Sequence, residues 1–160
     1  MSHHPPTLVI GYGNELRGDD AAGPLAARAL AALNRPGTRV LVVHQLTPEL
    51  AEAIAQARAV FFLDASIEVV GSASLTPLAP DPSSALRPHQ SQPAGLLALA
   101  RELYGAAPPA WMIRIPARCF DLGAPLSETA SRGAARAVAL IQQHLQPGAA
   151  PAPASRATTL

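Results

Sequence analysis

Short apolar runs alternate with stretches rich in Ala and Leu along the first part of the chain. β-Branched and apolar runs bounded by turn residues are typical of buried strands, and longer stretches are typical of helices. The pattern predicts strands at residues 7–12, 39–44 and 59–63, with helices at 21–33 and from Thr47 to near residue 56. Continuous apolar strands joined by helices indicate a parallel sheet that is covered on both faces.

The second half of the chain has a less regular pattern. It predicts a strand at 73–78, a Pro-rich loop at 79–93, a helix at 94–104, a strand at 111–115 and a last helix at 127–145. Arg114 interrupts the apolar strand, which indicates either a sheet edge or a polar contact. The predicted fold class is α/β: a three-layer sandwich with a twisted, mostly parallel sheet of about five strands and helices on both faces.

Length and composition limit the organisation and the classes of function. The 160 residues fit one domain, predicted at 1–146, followed by an Ala- and Pro-rich tail at 147–160 that we expect to be disordered. All 12 basic residues are Arg, which excludes Schiff-base and P-loop lysine chemistry. A net charge of +1 without a basic run argues against nucleic-acid binding.

The cellular setting follows from cysteine content and hydropathy. Cys119 is the single cysteine, so no internal disulfide can form, which suits a reducing compartment. The N-terminal apolar stretch is too short for a signal peptide, and no apolar run approaches the roughly 20 residues of a membrane span. We therefore expect a cytoplasmic protein without a membrane segment.

Acidic residues follow two of the predicted strands, where an open parallel sheet binds its ligands. Asp19 and Asp20 precede the first helix, and Asp64 follows the third strand. One Asp is enough to cap a helix, which leaves the other free to face a ligand. Asp64 taken alone fits a capping or loop-bonding role better than a ligand-binding role.

Histidine and cysteine offer further candidates. His89, in the Pro-rich loop, would complete a nitrogen and oxygen donor set with two carboxylates, a set that suits nickel, zinc or a similar ion. As a lone residue it fits an ordinary surface histidine better, and His44 is the fallback ligand. Arg118 precedes Cys119 and would make it a stronger nucleophile, but an inert buried thiol explains Cys119 better.

The glycines of the first loop argue weakly for a dinucleotide site. Gly11 and Gly13 lie between a strand and a helix, but Leu16 stands where a third glycine would be needed. Asp19 and Asp20 also put negative charge where phosphates would bind. We therefore expect no organic cofactor, and glycines that permit a tight turn are an adequate explanation.

Three segments together resemble one family. GYGNELRGDD is similar to the GxGNxLxxDD opening of the [NiFe]-hydrogenase maturation endopeptidases, FFLDAS resembles their second motif, and RPHQ resembles their His motif. HQLTPELAEAI and FDLGAPLSETA give weaker support. The likeness runs in consistent order from about Thr7 to Gln146. Ala21-Ala22-Gly23 departs from the family's frequent Gly-x-Gly.

The resemblance implies a fold, a site and an activity. It implies the same α/β sandwich, metal ligands at Asp20, Asp64 and His89, a helix-start role for Asp19 and a loop-holding role for Asn14. It also implies a peptide-bond hydrolase that recognises a [NiFe]-hydrogenase large-subunit precursor already loaded with nickel and removes a C-terminal extension. The nickel would belong to the substrate, serving as recognition element or Lewis acid, and Asp20 or Asp64 could act as general base.

Two other classes of function remain open. One is a non-catalytic nickel-binding chaperone or sensor on the same scaffold, which would bind the precursor without changing its mass. The other is a small nucleotide-binding domain, against which the missing third glycine counts. In the leading hypothesis we expect the protein to act as a monomer.

Overall fold

The computed structural model describes residues 3–86 and 91–146. The five strands are Thr7–Tyr12 (β1), Thr38–Val43 (β2), Ala59–Ser66 (β3), Ser74–Leu78 (β4) and Ala110–Pro116 (β5). The four α-helices are Ala22–Ala32 (α1), Leu50–Ala55 (α2), Pro93–Tyr104 (α3) and Glu128–His144 (α4). Short 3-10 turns occupy Gly18–Ala21 and Pro82–Leu86. The predicted tail, 147–160, and His89 lie outside the described residues.

The strands form one sheet in the order β2-β1-β3-β5-β4, and every neighbouring pair is parallel except β4 with β5. The predicted α/β architecture is therefore confirmed. β4 is an antiparallel edge strand, where Pro77 is tolerated because an edge strand can do without one backbone donor. β5 lies between β3 and β4, so the sheet-edge interpretation of Arg114 is wrong.

The sheet separates two apolar cores, as the alternation of side chains along each strand requires. Val9, Phe61 and Ile113 face the layer that α1 and α4 form. Ile10 and Phe62 face the layer of α2 and α3. Each of these five side chains is completely buried, which explains why the strands appear in the sequence as continuous apolar runs.

The central strands end at different heights. The last pair between β1 and β3 is Gly11 with Leu63, whereas β3 continues beside β5 as far as Ser66 with Pro116. Beyond Leu63, β3 therefore has a strand neighbour on one side only. This step opens the carboxyl end of the sheet next to the loop that follows β1.

The helices depart slightly from the predicted bounds. α1 begins at Ala22 because Gly18–Ala21 forms a separate 3-10 turn. α4 begins after Ser127, whose hydroxyl accepts a hydrogen bond from the backbone N–H of Ala130. α3 begins with Pro93 at its first position and ends at Gly105, which has a φ of 77°. Within the described ranges, no helix combines the length and apolar character that a membrane span needs.

Candidate active site

Asp64 lies inside β3 and not after it, which corrects the predicted strand end at Leu63. It is directly opposite Arg114 of β5. On its other side it has no partner in β1, because the pairing of β1 with β3 ends at Leu63. Residues 60, 62 and 64 share the face that α2 and α3 cover, so the Asp64 side chain follows two buried side chains on that face. The carboxylate therefore stands at the margin of the core and borders the open step in the sheet.

Burial and a phenol set the charge state of Asp64. The pKa of its carboxyl is raised to about 6. Loss of solvation is the largest cause, and the Asp20 carboxylate also raises the pKa, while a hydrogen bond from the Tyr12 hydroxyl and the Arg114 charge oppose the increase. Burial, together with Asp64, raises the pKa of the Tyr12 phenol well above its usual range. The phenol therefore stays protonated and donates to the carboxylate at neutral pH.

Asp20 lies in the 3-10 turn that faces Asp64 across the step. One of its carboxylate oxygens, Oδ2, accepts a hydrogen bond from the backbone N–H of Asn14 at 2.7 Å. The Asn14 side chain accepts from the N–H of Leu16 at 3.0 Å, so Asn14 organises the loop at both ends. The backbone carbonyl of Asp20 would lie only 2.0 Å from a Cβ on Gly13, which has a φ of 150°. Only glycine fits there.

Asp20 and Asp64 line one cleft of about 260 Å³ at the carboxyl end of the sheet. The other residues of its wall are Tyr12, Gly13, His44, Gln45, Leu46, Ser91, Gln92 and Pro93. The structure thus brings the two predicted carboxylates together, and His44, the fallback ligand, borders the same cleft. Within residues 3–86 and 91–146, no three or more His, Cys, Asp or Glu side chains are grouped to hold a metal ion.

His89, the predicted third ligand, lies outside the described ranges, which omit residues 87–90. Ser91, the first described residue after that gap, lines the cleft with both carboxylates. Two carboxylate oxygens and one imidazole nitrogen are a donor set that suits a divalent nickel or zinc ion. Asp20 and Asp64 fit the oxygen part of that set because they share one cleft and influence each other electrostatically.

Asp19 has a different role from the helix-start position that the sequence indicated. Its side chain caps neither the 3-10 turn nor α1. It is 1% exposed, and its carboxylate accepts three hydrogen bonds of 2.7 Å, from the backbone N–H of Arg118 and from the N–H and hydroxyl of Ser127. Burial opposes the charge, but these hydrogen bonds outweigh it and hold the pKa of Asp19 below its usual value.

Backbone hydrogen bonds also attach the loop after β1 to the loop between β5 and α4. Asp19 donates its own N–H to the carbonyl of Cys119 at 2.9 Å, and Gly123 donates to the carbonyl of Leu16 at 2.8 Å. The Cys119 thiol accepts from the N–H of Asp121 at 3.4 Å and lies outside the wall of the cleft. A structural role for Cys119 is thus favoured over a nucleophilic one.

The glycines of the first loop serve packing against α1. A Cβ on Gly11 would lie 2.5 Å from the carbonyl oxygen of Gly23, and a Cβ on Gly23 would lie 2.6 Å from that of Leu63. Helix and sheet therefore approach too closely for any side chain at these positions. The close approach of α1 to the sheet explains both glycines.

Sequence reasoning missed two residues of this region. The sequence pattern makes Tyr12 only the end of a strand, although its position between Gly11 and Gly13 is a signal. The pattern marks Arg114 as unusual, but it does not say which partner Arg114 faces. Both lie on the same sheet face as Asp64, and the register of β3 and β5 was needed to show it.

Known structures share this architecture. A [NiFe] hydrogenase maturation protease from Thermococcus kodakarensis superimposes with a TM-score of 0.70 and 24% identity, over 89% of this chain and 94% of that one. A hydrogenase maturating endopeptidase from Escherichia coli gives 0.70 and 19% identity, over 88% and 91%. A hydrogenase 2 maturation peptidase from a Thaumarchaeota archaeon gives 0.66 and 25% identity, over 88% and 97%.

Comparisons of sequence alone add nothing to this result. No family model matches the chain, and no curated protein matches it. The structural likeness extends over almost the whole described chain, and the predicted resemblance is confirmed at the level of the fold. The chain has the fold of the [NiFe]-hydrogenase maturation proteases.

Proposed function

We propose that this protein is an endopeptidase that removes the C-terminal extension of a [NiFe]-hydrogenase large-subunit precursor after nickel has been inserted. The observation that carries the proposal is the shared cleft of Asp20 and Asp64 at the carboxyl end of a sheet with the fold of these proteases. In this proposal the enzyme acts as a cytoplasmic monomer and uses no organic cofactor.

The proposed ligands for the precursor's own nickel are Asp20, Asp64 and His89. The two carboxylates supply oxygen donors, and the cleft that they share is open to a substrate. The wall residue Ser91 follows His89 by only two positions, which supports a contribution from this histidine. When bound, the nickel would mark the precursor as mature and polarise the scissile carbonyl or a water.

The chain's own groups have further roles in the proposed reaction. As an alternative to a ligand role, Asp64 can act as a general base, because its pKa of about 6 in the metal-free protein lets it accept a proton near neutral pH. The Tyr12 phenol fixes the orientation of this carboxylate through its hydrogen bond. Asn14 and Gly13 hold Asp20 in place from the opposite side.

The proposal is tested with the purified protein and the large-subunit precursor of its own organism, with and without loaded nickel. Intact mass spectrometry measures loss of the C-terminal peptide. We expect cleavage of the nickel-loaded precursor only, and no cleavage by His89→Ala or Asp64→Asn. His3→Ala, which removes an exposed histidine outside the cleft, is the matched control and should cleave normally.

The alternatives predict other results. A protein that binds the precursor without changing its mass would be a maturation chaperone. Cleavage of a nickel-free precursor would overturn the role given to the three ligands. Loss of cleavage in His44→Ala, with normal cleavage by His89→Ala, would make His44 the third ligand.

A further inference from the structure

A second cleft lies on the other side of Asp64. Its volume is about 520 Å³, and it opens between β3, β5 and the beginning of α3. Tyr12 and Asp64 border both clefts, so the two are continuous at the proposed reaction centre. Besides Tyr12 and Asp64, the polar and charged side chains in its wall are Ser66, Glu68, Ser84, Gln92 and Arg114.

Arg114 is the cation of this cleft. It belongs to an interior strand, and its side chain is exposed on the face where Met112 is buried under α2 and α3. A charged residue in an interior strand contributes nothing to the protection of a sheet edge. Its position is therefore explained by the cleft and not by the fold.

The guanidinium of Arg114 forms no ion pair within the described part of the chain. The ion pairs there join Arg28 to Glu15 and Arg132 to Glu128, and neither involves Arg114. It lowers the pKa of Asp64 through its charge, but it makes no ion pair with Asp64 or with Glu68. Its N–H groups are thus available to a ligand.

We infer that Arg114 binds a carboxylate of the peptide segment on the leaving side of the scissile bond, an inference that rests on the proposed endopeptidase function. The guanidinium matches a carboxylate with two parallel hydrogen bonds. A peptide substrate carries such a group either on an acidic side chain or at its free C-terminus. Once Asp64 engages the substrate's nickel, Arg114 is left with a positive charge that this carboxylate neutralises.

Direction along the cleft follows from the same geometry. Asp20 and Asp64 line the smaller cleft, while Arg114 faces only the larger one. In this inference, the precursor's nickel lies in the smaller cleft and its leaving segment passes Asp64 into the larger cleft. Arg114 is a specificity-determining residue in this arrangement, and the reaction at the scissile bond does not involve it.

The first experiment measures KM and kcat for cleavage of the nickel-loaded precursor by Arg114→Gln, Arg114→Lys and the control Arg136→Gln. Arg136 is exposed on α4, on the opposite side of the sheet. We expect KM to rise about tenfold in Arg114→Gln, with a smaller change in kcat, because a hydrogen-bonded charge pair is lost. The KM of Arg114→Lys should lie between those of the wild type and Arg114→Gln, since lysine keeps the charge but cannot form the two parallel hydrogen bonds.

The second experiment does not depend on cleavage. A fluorescent synthetic peptide with the sequence of the extension is titrated into the wild type, Arg114→Gln and Arg136→Gln, and anisotropy reports binding. One version has an amidated C-terminus, and another has each acidic side chain replaced by its amide. The version that binds about tenfold more weakly identifies the source of the carboxylate.

The outcomes separate this inference from the proposed function. Equal KM for Arg114→Gln and Arg136→Gln, or equal binding of all peptide versions, would overturn the role of Arg114 while leaving the endopeptidase intact. If the wild type cleaves no precursor, the proposed function fails. Weaker peptide binding to Arg114→Gln than to Arg136→Gln would then still support a carboxylate site.

Discussion

The hydroxyl of Tyr12 on β1 hydrogen-bonds the carboxylate of Asp64 on the neighbouring strand β3. This contact joins the beginning of the first motif to the second motif. It opposes the effect of burial on Asp64, because it stabilises the charged form. The proton affinity of the candidate site therefore depends on a residue that has no acid–base role of its own at neutral pH.

Tyr12→Phe should raise the pKa of Asp64 above about 6, since the phenol that stabilises its charged form is removed. Carbon NMR of the Asp carboxyl groups in the metal-free protein measures this pKa directly. Tyr104→Phe removes an exposed hydroxyl from α3 and should leave the value unchanged. If Asp64 has the same pKa in Tyr12→Phe as in the wild type, the hydrogen bond from Tyr12 does not stabilise the charged carboxylate.

Asp64→Asn should stabilise the metal-free protein at pH 7. The pKa of Asp64 is raised in the folded state to about 6 from 3.8, so wild-type stability falls as the pH rises through this window. The gain from Asp64→Asn should be about 1–3 kcal/mol at pH 7 and should vanish near pH 4. Urea unfolding across this range measures it.

Glu68→Gln is the control for that comparison, because Glu68 is an exposed acid of the same region. Its stability difference from wild type should not vary with pH in the same way. A constant difference between Asp64→Asn and wild type from pH 4 to 7 would contradict the raised pKa.

Asp19→Asn should destabilise the protein by about 2–4 kcal/mol at pH 7, because the amide N–H₂ would face donors where a carboxylate now accepts. The pKa of Asp19 is depressed below 3.8, so its stabilising effect is complete above that value and disappears as the pH falls through the folded-state pKa. The difference from wild type should therefore shrink in acid.

Chemical unfolding at pH 7 and at about pH 2.5 measures the effect of Asp19, provided both proteins fold at the lower pH. Asp121→Asn, an exposed acid in the loop after β5, is the matched control and should cost little. If Asp19→Asn and Asp121→Asn are equally stable, the hydrogen bonds of Asp19 to Arg118 and Ser127 do not stabilise the fold.

Gly13→Ala should disturb Asp20 and abolish cleavage, since the new Cβ would meet the Asp20 carbonyl at 2.0 Å. Gly71→Ala is its control: Gly71 also has a positive φ, 91°, but a Cβ there would meet nothing within 4 Å. We expect the control to lose about 1 kcal/mol from backbone strain alone and to cleave normally. If the two variants unfold at similar temperatures and cleave equally well, the Cβ of Gly13→Ala does not clash with the Asp20 carbonyl.

The fold was predictable because its strands are apolar runs of the right length, separated by helices with caps and stop signals. The carboxylates Asp20 and Asp64 were also predictable, since Asp20 follows β1 and Asp64 lies near the carboxyl end of β3, at the same edge of a parallel sheet. Arg114 was not, because its neighbour depends on the register between β3 and β5, which are separated in sequence by β4 and α3. The role of Asp19 depends on contacts that no local pattern encodes.

The Asp19 carboxylate joins two parts of the chain that are 108 positions apart, at its hydrogen bonds with Ser127. During synthesis, the loop that carries Asp20 exists long before Ser127 has been added to the chain. That loop lacks these hydrogen bonds until the chain has been made as far as Ser127. A growing chain therefore gains the support of Asp19 late, and truncation before Ser127 would leave both carboxylates present but the loop that carries Asp20 without this support.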